Sequence, residues 1–272
     1  VVATLAKLRK SGWKPGREVI LALSGDEETT MKTTAVLAER LKHAELVLNS
    51  DGGGGLLAED GKAVAYGVQG AEKTYIDFRL EVTNPGGHSS APRPDNAIAQ
   101  LAQALGRIAA YRFAPEINDI TRAYFEQVSQ TQPDPELAAA MRAFAADPTD
   151  EAAIAVLRGD VVMNSVIGTT CVPTMVDGGH APNALPQRAT AIVNCRVFPG
   201  HDNAEIQAEL ERVAATPGVT FTDVTGDTST ASPPSPLRPE FVAAFEKAVR
   251  AAWGDVPVYP AQSSGASDSM WY

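Results

Sequence analysis

The sequence predicts a mixed α/β protein in which one α/β unit carries a second, ferredoxin-like α+β unit inserted within it. Three observations predict this. Strand-like and helix-like segments alternate over residues 18–49, and an alternating apolar and polar run at 75–82 opens a block of strand, helix, strands, helix and strand. A stretch rich in Thr, Ser and Pro at 226–239 then leads into one more helix. The first pattern belongs to parallel α/β layers and the second to a split βαβ layer. The expected division is 1–72 with 227–272 for the discontinuous first unit, and 73–226 for the inserted lid or dimerisation unit.

Each element has a local reason. Val1, Val2, Leu5 and Leu8 recur at helical spacing, and Gly12 follows a basic last turn of Lys7, Arg9 and Lys10, a stop signal. Glu18 to Leu23 reads as a buried strand after the Lys14-Pro15-Gly16 turn, and it ends in the polar loop 24–30. A helix over Thr33 to Leu41 and a short apolar strand, Leu46 to Asn49, complete the alternation. Tyr75 to Val82 reads as a half-buried strand and Ala97 to Tyr111 as a helix, followed by an Ala-rich helical region from Pro135 to Leu157. Strands are expected at Val161–Val166, Thr169–Met175, Arg188–Val197 and Val219–Val224, with helices at Asn203–Ala214 and Pro239–Trp253.

Composition narrows the function. The chain has 272 residues, 44% hydrophobic and 21% charged, with a net charge of −10 and no run of Lys or Arg. Phosphate backbones and anionic membrane surfaces need clustered cations, so neither a nucleic acid nor a membrane is an expected partner. No apolar stretch approaches the ~20 residues of a membrane span. No leader is visible, and the compartment stays open. The two cysteines, Cys171 and Cys195, read as buried thiols, and their number excludes a cysteine-ligated zinc site.

The chemistry-bearing residues gather at loops. In parallel sheets the functional loops lie beyond the carboxyl ends of the strands, where Glu27, Glu28 and Asp51 are expected. Like charges at close range repel, and a divalent cation would reconcile them. Six segments in order carry a specific resemblance: 23–29 (LSGDEET), 48–53 (LNSDGG), 86–90 (GGHSS), 178–186 (GGHAPNALP), 194–200 (NCRVFPG) and 264–268 (SGASD). Together they resemble the zinc-dependent peptidase family of aminoacylases, glutamate carboxypeptidases and succinyl-diaminopimelate desuccinylases, most closely its carboxypeptidase-like branch.

The resemblance implies a hydrolase of amide bonds in peptides or N-acyl amino acids that present a free carboxylate. It implies a site of two zinc ions, with cobalt or manganese as substitutes, and a homodimer formed through the inserted unit. By motif, Glu27 would be the general base, Glu28 and Asp51 zinc ligands, and His88 an oxyanion stabiliser reaching the site, commonly that of a partner subunit. Asn183 and Arg196 would hold the substrate carboxylate, with Gly265 in the substrate-binding signature loop. His43, His180 and His201 receive no metal role. The sequence departs from the family at both ends. It has no His-x-Asp motif, no bridging Asp before the first helix and no His after the 264–268 loop, so only Glu28 and Asp51 remain of five expected ligands. The expectation is therefore a chain truncated at both ends and inactive alone. The alternative is a non-catalytic dimerising or binding module derived from such an enzyme.

Overall fold

The computed structural model describes residues 1–226 and 229–272. The chain opens with α1 (Val2–Lys10) and α2 (Lys32–Leu41), close to the helices expected. The two predicted strands around them do not form. Residues 18–23 and 46–49 run without a ladder partner, with Val19, Ile20, Leu21, Leu46, Val47 and Leu48 all exposed. An apolar run reports what a strand can bury, but a strand exists only when a neighbour takes its backbone hydrogen bonds. The parallel pairing lies elsewhere. A three-stranded sheet joins β1 (Gly54–Leu57), β2 (Ala63–Glu72) and β9 (Val258–Ser263) in that order, and β2 runs parallel to β9.

The inserted layer follows expectation. Strand β3 (Thr74–Thr83) pairs antiparallel along its whole length with β7 (Arg188–Val197), and the sheet order is β5-β7-β3-β8, with β5 at Thr170–Gly178 and β8 at Val219–Asp223. With α3 (Ala97–Ala110) and α8 (Asn203–Ala214) this is the ferredoxin-like order. The alternation in β3 buries Ile76, Phe78, Leu80 and Val82 completely, against Leu101, Ile108 and Leu210 of the two helices. Each such side chain contributes roughly 1.5–3 kcal/mol of burial. The opposite face of β3 and β7 carries Tyr75, Asp77, Asn194 and Arg196, all half-buried.

Between α3 and β5 the chain inserts four helices: α4 (Asp119–Val128), α5 (Pro135–Ala146), α6 (Glu151–Gly159) and α7 (Val161–Val166). The last replaces the strand predicted for 161–166. Its β-branched residues favour a strand, but the Asp160 carboxylate accepts from the N–H groups of Val162 and Met163 and starts a helical turn. The insert has its own core around Phe125, Met141, Phe144 and Leu157. It also leans on the other sheet: Tyr124 meets Tyr259 of β9 edge to face, Asn118 donates to Gln262, and Ile120 fills the space that a side chain at Gly70 would need. Near the chain's end, α9 (Pro239–Trp253) precedes β9, and a 3-10 helix spans Asp268–Trp271.

The cysteines are not thiols. Cys171 and Cys195 face each other across β5 and β7 and form a disulfide. Twenty-four positions apart in sequence, they become neighbours only through the strand register, which composition does not reveal.

Candidate active site

Two short turns and the C-terminal loop bring carboxylates together. Asp26 ties down its own loop, accepting from the backbone N–H groups of Lys32 and Thr33 at the start of α2. That leaves Glu27 half-buried and Glu28 exposed beyond it. Burial raises the pKa of Glu27, and the charges of Asp51, Glu28 and Asp268 push it the same way. Two residues of different loops meet here: Asn49 donates to Asp268 at 2.6 Å and to the Ser269 hydroxyl at 2.8 Å, while its own side-chain oxygen accepts the Asp51 N–H. The structure thus brings Glu27, Glu28 and Asp51 into one neighbourhood with Asp268 of the 264–268 motif, a carboxylate that sequence reasoning missed.

Behind this cluster lies Glu72, only 6% exposed at the end of β2. Its carboxylate accepts from Ser267 at 2.7 Å and from Gln69 at 3.0 Å, and burial raises its pKa despite those bonds. Gly265 sits in the same loop, where its N–H donates to Ser263. Next along the chain, Lys73 is fully buried at the junction of the two sheets. Its Nζ donates to the Gly168 carbonyl at 2.5 Å, and its backbone N–H donates to Ser263. Burial holds its ammonium down at about 8; the nearby Arg196 guanidinium adds to the shift and Glu116 opposes it. Neither buried charge was singled out by the sequence, where both sit at the boundary expected between the two units.

The remaining predicted residues separate into two places. Arg196, opposite Tyr75 in the register, places its guanidinium 4.6 Å from the centre of that ring. His88 and Asn183 lie at the other end of the sheet. Strands β4 (Gly87–His88) and β6 (Ala184–Leu185) pair, and Ser89 N–H donates to the Asn183 carbonyl. Both residues are exposed. His88 Nδ1 accepts from the Ser90 N–H at 3.2 Å and lies 2.8 Å from the Ser90 hydroxyl. Arg196 and the loops of His88 and Asn183 are separated by the length of β7, roughly 30 Å at about 3.3 Å per residue. Within one subunit His88 and Asn183 therefore do not join Arg196.

Among the described residues, no three of His, Cys, Asp and Glu approach closely enough to hold an ion. The carboxylates gather, but on their own they do not fit a metal centre. His43 and His180 are exposed, and His201 bridges Glu116 and Glu205 instead.

A ferredoxin-like layer thus stands beside a second sheet, with the acidic loops of Glu27 and Asp51 next to it. A family model described as a peptidase dimerisation domain matches residues 70–222, and the chain belongs to the M20 peptidase family. It is 32% identical over 142 residues to "Probable carboxypeptidase S-like 2" of Dictyostelium discoideum, covering 52% of this chain and 27% of the relative. It is 28% identical over 228 residues to an N-fatty-acyl-amino acid synthase/hydrolase of Danio rerio, covering 79% of this chain and 42% of that one. The chain thus spans less than half the length of these relatives. Among solved structures, an M20 family metallo-carboxypeptidase from Sulfolobus solfataricus shares the fold at a TM-score of 0.53 and 18% identity, covering 80% of this chain and 58% of that one. No helix among the described residues is long and apolar enough to cross a membrane.

Proposed function

We propose that the protein to which this chain belongs hydrolyses an amide bond in a peptide or N-acyl amino acid carrying a free carboxylate. The observation that carries the proposal is Glu27, its pKa raised by burial and by three neighbouring carboxylates. A carboxyl raised in this way is suited to take a proton from an attacking water and return it to the leaving amine. Arg196 offers its guanidinium to the substrate carboxylate from the half-buried face of the four-stranded sheet, a geometry arginine matches with two parallel bonds. His88 and Asn183, distant from Arg196 in one subunit, act on a partner's site in a homodimer. The exposed edge strand β5 supports such pairing. The division into 1–72 with 227–272 and an inserted 73–226 belongs to the same reading.

Zinc is the metal this reading assigns to the whole protein, with Glu28 and Asp51 as donors. The described donors do not complete a site, so this chain alone is expected to show negligible turnover. That same observation favours the second reading, a dimerising module without catalysis. The test is turnover of N-acyl amino acids by the full-length protein beside Glu27→Gln. Loss of a general base lowers kcat by roughly 10²–10⁴. Equal kcat in both would reject Glu27 as the base, and no turnover in either would favour the module.

A further inference from the structure

Arg196 has an unusual environment for a cation on a sheet. Among the described residues its guanidinium makes no hydrogen bond or ion pair, and it lies over the face of Tyr75, 4.6 Å from the ring centre. Yet a carboxylate lies on the same face, diagonally across the ladder. Tyr75 pairs with Arg196 and Asp77 with Asn194, so Asp77 is the diagonal neighbour of Arg196, within reach of a long side chain. An unoccupied Asp77 would be the natural partner to capture and neutralise that guanidinium. Both of its oxygens are tethered, which fixes the orientation of the carboxylate: Tyr75 Oη donates to one at 2.5 Å and Asn194 Nδ2 to the other at 2.8 Å. The backbone of Asp77 is fixed as well, its N–H donating to the Thr225 hydroxyl and its carbonyl accepting from Val224. Tyr75 therefore does two things at once. Its ring faces the guanidinium at 4.6 Å, an attraction that leaves the N–H donors without a hydrogen-bond partner, and its hydroxyl tethers the neighbouring carboxylate.

We propose that Tyr75, backed by Asp77 and Asn194, is the specificity-determining residue that keeps Arg196 free for a ligand carboxylate. This rests on the reading of Arg196 as the carboxylate anchor, and it identifies what makes that anchor available. Tyr75 is a positioning residue here and need not touch the ligand.

The test is calorimetric titration of the full-length protein, with Glu27→Gln as the background throughout so that the ligand is not turned over, with N-acetylmethionine and with N-acetylmethionine amide, the ratio of the two affinities being the readout. A charge-assisted pair gives this background a preference for the acid of about tenfold or more. Tyr75→Phe keeps the ring but releases Asp77 to capture Arg196, so the preference falls to that of Arg196→Gln. Adding Asp77→Asn to Tyr75→Phe removes the competitor and restores it. A merely structural defect in Tyr75→Phe would not be rescued by that second change, and affinity for the amide should stay constant throughout. Full acid preference in Tyr75→Phe, beside its loss in Arg196→Gln, overturns this proposal and leaves the anchor standing. Undiminished preference in Arg196→Gln overturns the anchor and this proposal with it.

Discussion

Lys73 offers a sharp test of the energetics at the junction of the two sheets. Its side chain is fully buried, hydrogen-bonded to one carbonyl, with its ammonium held at about 8 against an ordinary 10.5. A gap of about 2.5 units, at 1.36 kcal/mol each, makes the charged lysine cost the folded state about 3 kcal/mol. The direction follows from proton counting. Below pH 8 both folded and unfolded chains carry the proton, and the cost is present in full. Between 8 and 10.5 the unfolded chain holds more protons than the folded one, so stability rises with pH; above 10.5 the cost is gone. Lys73→Met removes the titration at similar volume and orphans the Gly168 carbonyl by an amount that does not change with pH. Urea unfolding of both proteins at intervals from pH 7 to 11 isolates the effect. Wild-type stability minus that of the variant should climb by about 3 kcal/mol across this window, whatever its starting value. A difference that stays level within about 1 kcal/mol would refute both the burial of the charge and the repulsion from Arg196.

Two other perturbations follow from the packing. Reducing the Cys171–Cys195 bridge frees a loop whose ends lie 24 positions apart, and stability should fall by about 3 kcal/mol; thermal unfolding with and without reductant, with alkylation and mass measurement confirming the thiol count, reads it. Gly70→Ala puts a Cβ 2.7 Å from Ile120 Cδ1, so it should destabilise by roughly 1–3 kcal/mol, and Ile120→Val should recover much of that loss in the double variant. Additive losses in that pair would show that the helical insert does not bear on β2 there.

What could be read from the sequence divides along physical lines. Elements whose stability is local or amphipathic were legible: the period-two alternation of β3, the strand at β7, and the helices α3, α8 and α9. Elements that depend on a distant partner were not. The runs at 18–23 and 46–49 carry strand-like residues, but no strand lies alongside to complete them. At 161–166 one carboxylate at Asp160 outweighed six residues of mixed propensity. The site shows the same divide. Motifs pointed to Glu27, Glu28 and Asp51, which the fold gathers. They gave no hint that Glu72 and Lys73 would be buried back to back, or that Tyr75 would sit between a guanidinium and a carboxylate. Those facts belong to register and burial, which a linear pattern does not encode.

The four inserted helices carry a consequence for how the chain acquires its structure. Their core forms among residues close in sequence, from Phe125 to Ile167, so it can assemble as soon as that stretch is available. The central pair of the neighbouring sheet cannot, because β3 must wait for β7 while α3 to α7 intervene between them. Contacts between near residues form faster than those that close long loops. The helices are therefore expected to fold first, with Ile120 and Tyr124 as the surface on which β2 and β9 then pack; pulsed hydrogen exchange that protects 120–167 no earlier than β3 and β7 would refute this order.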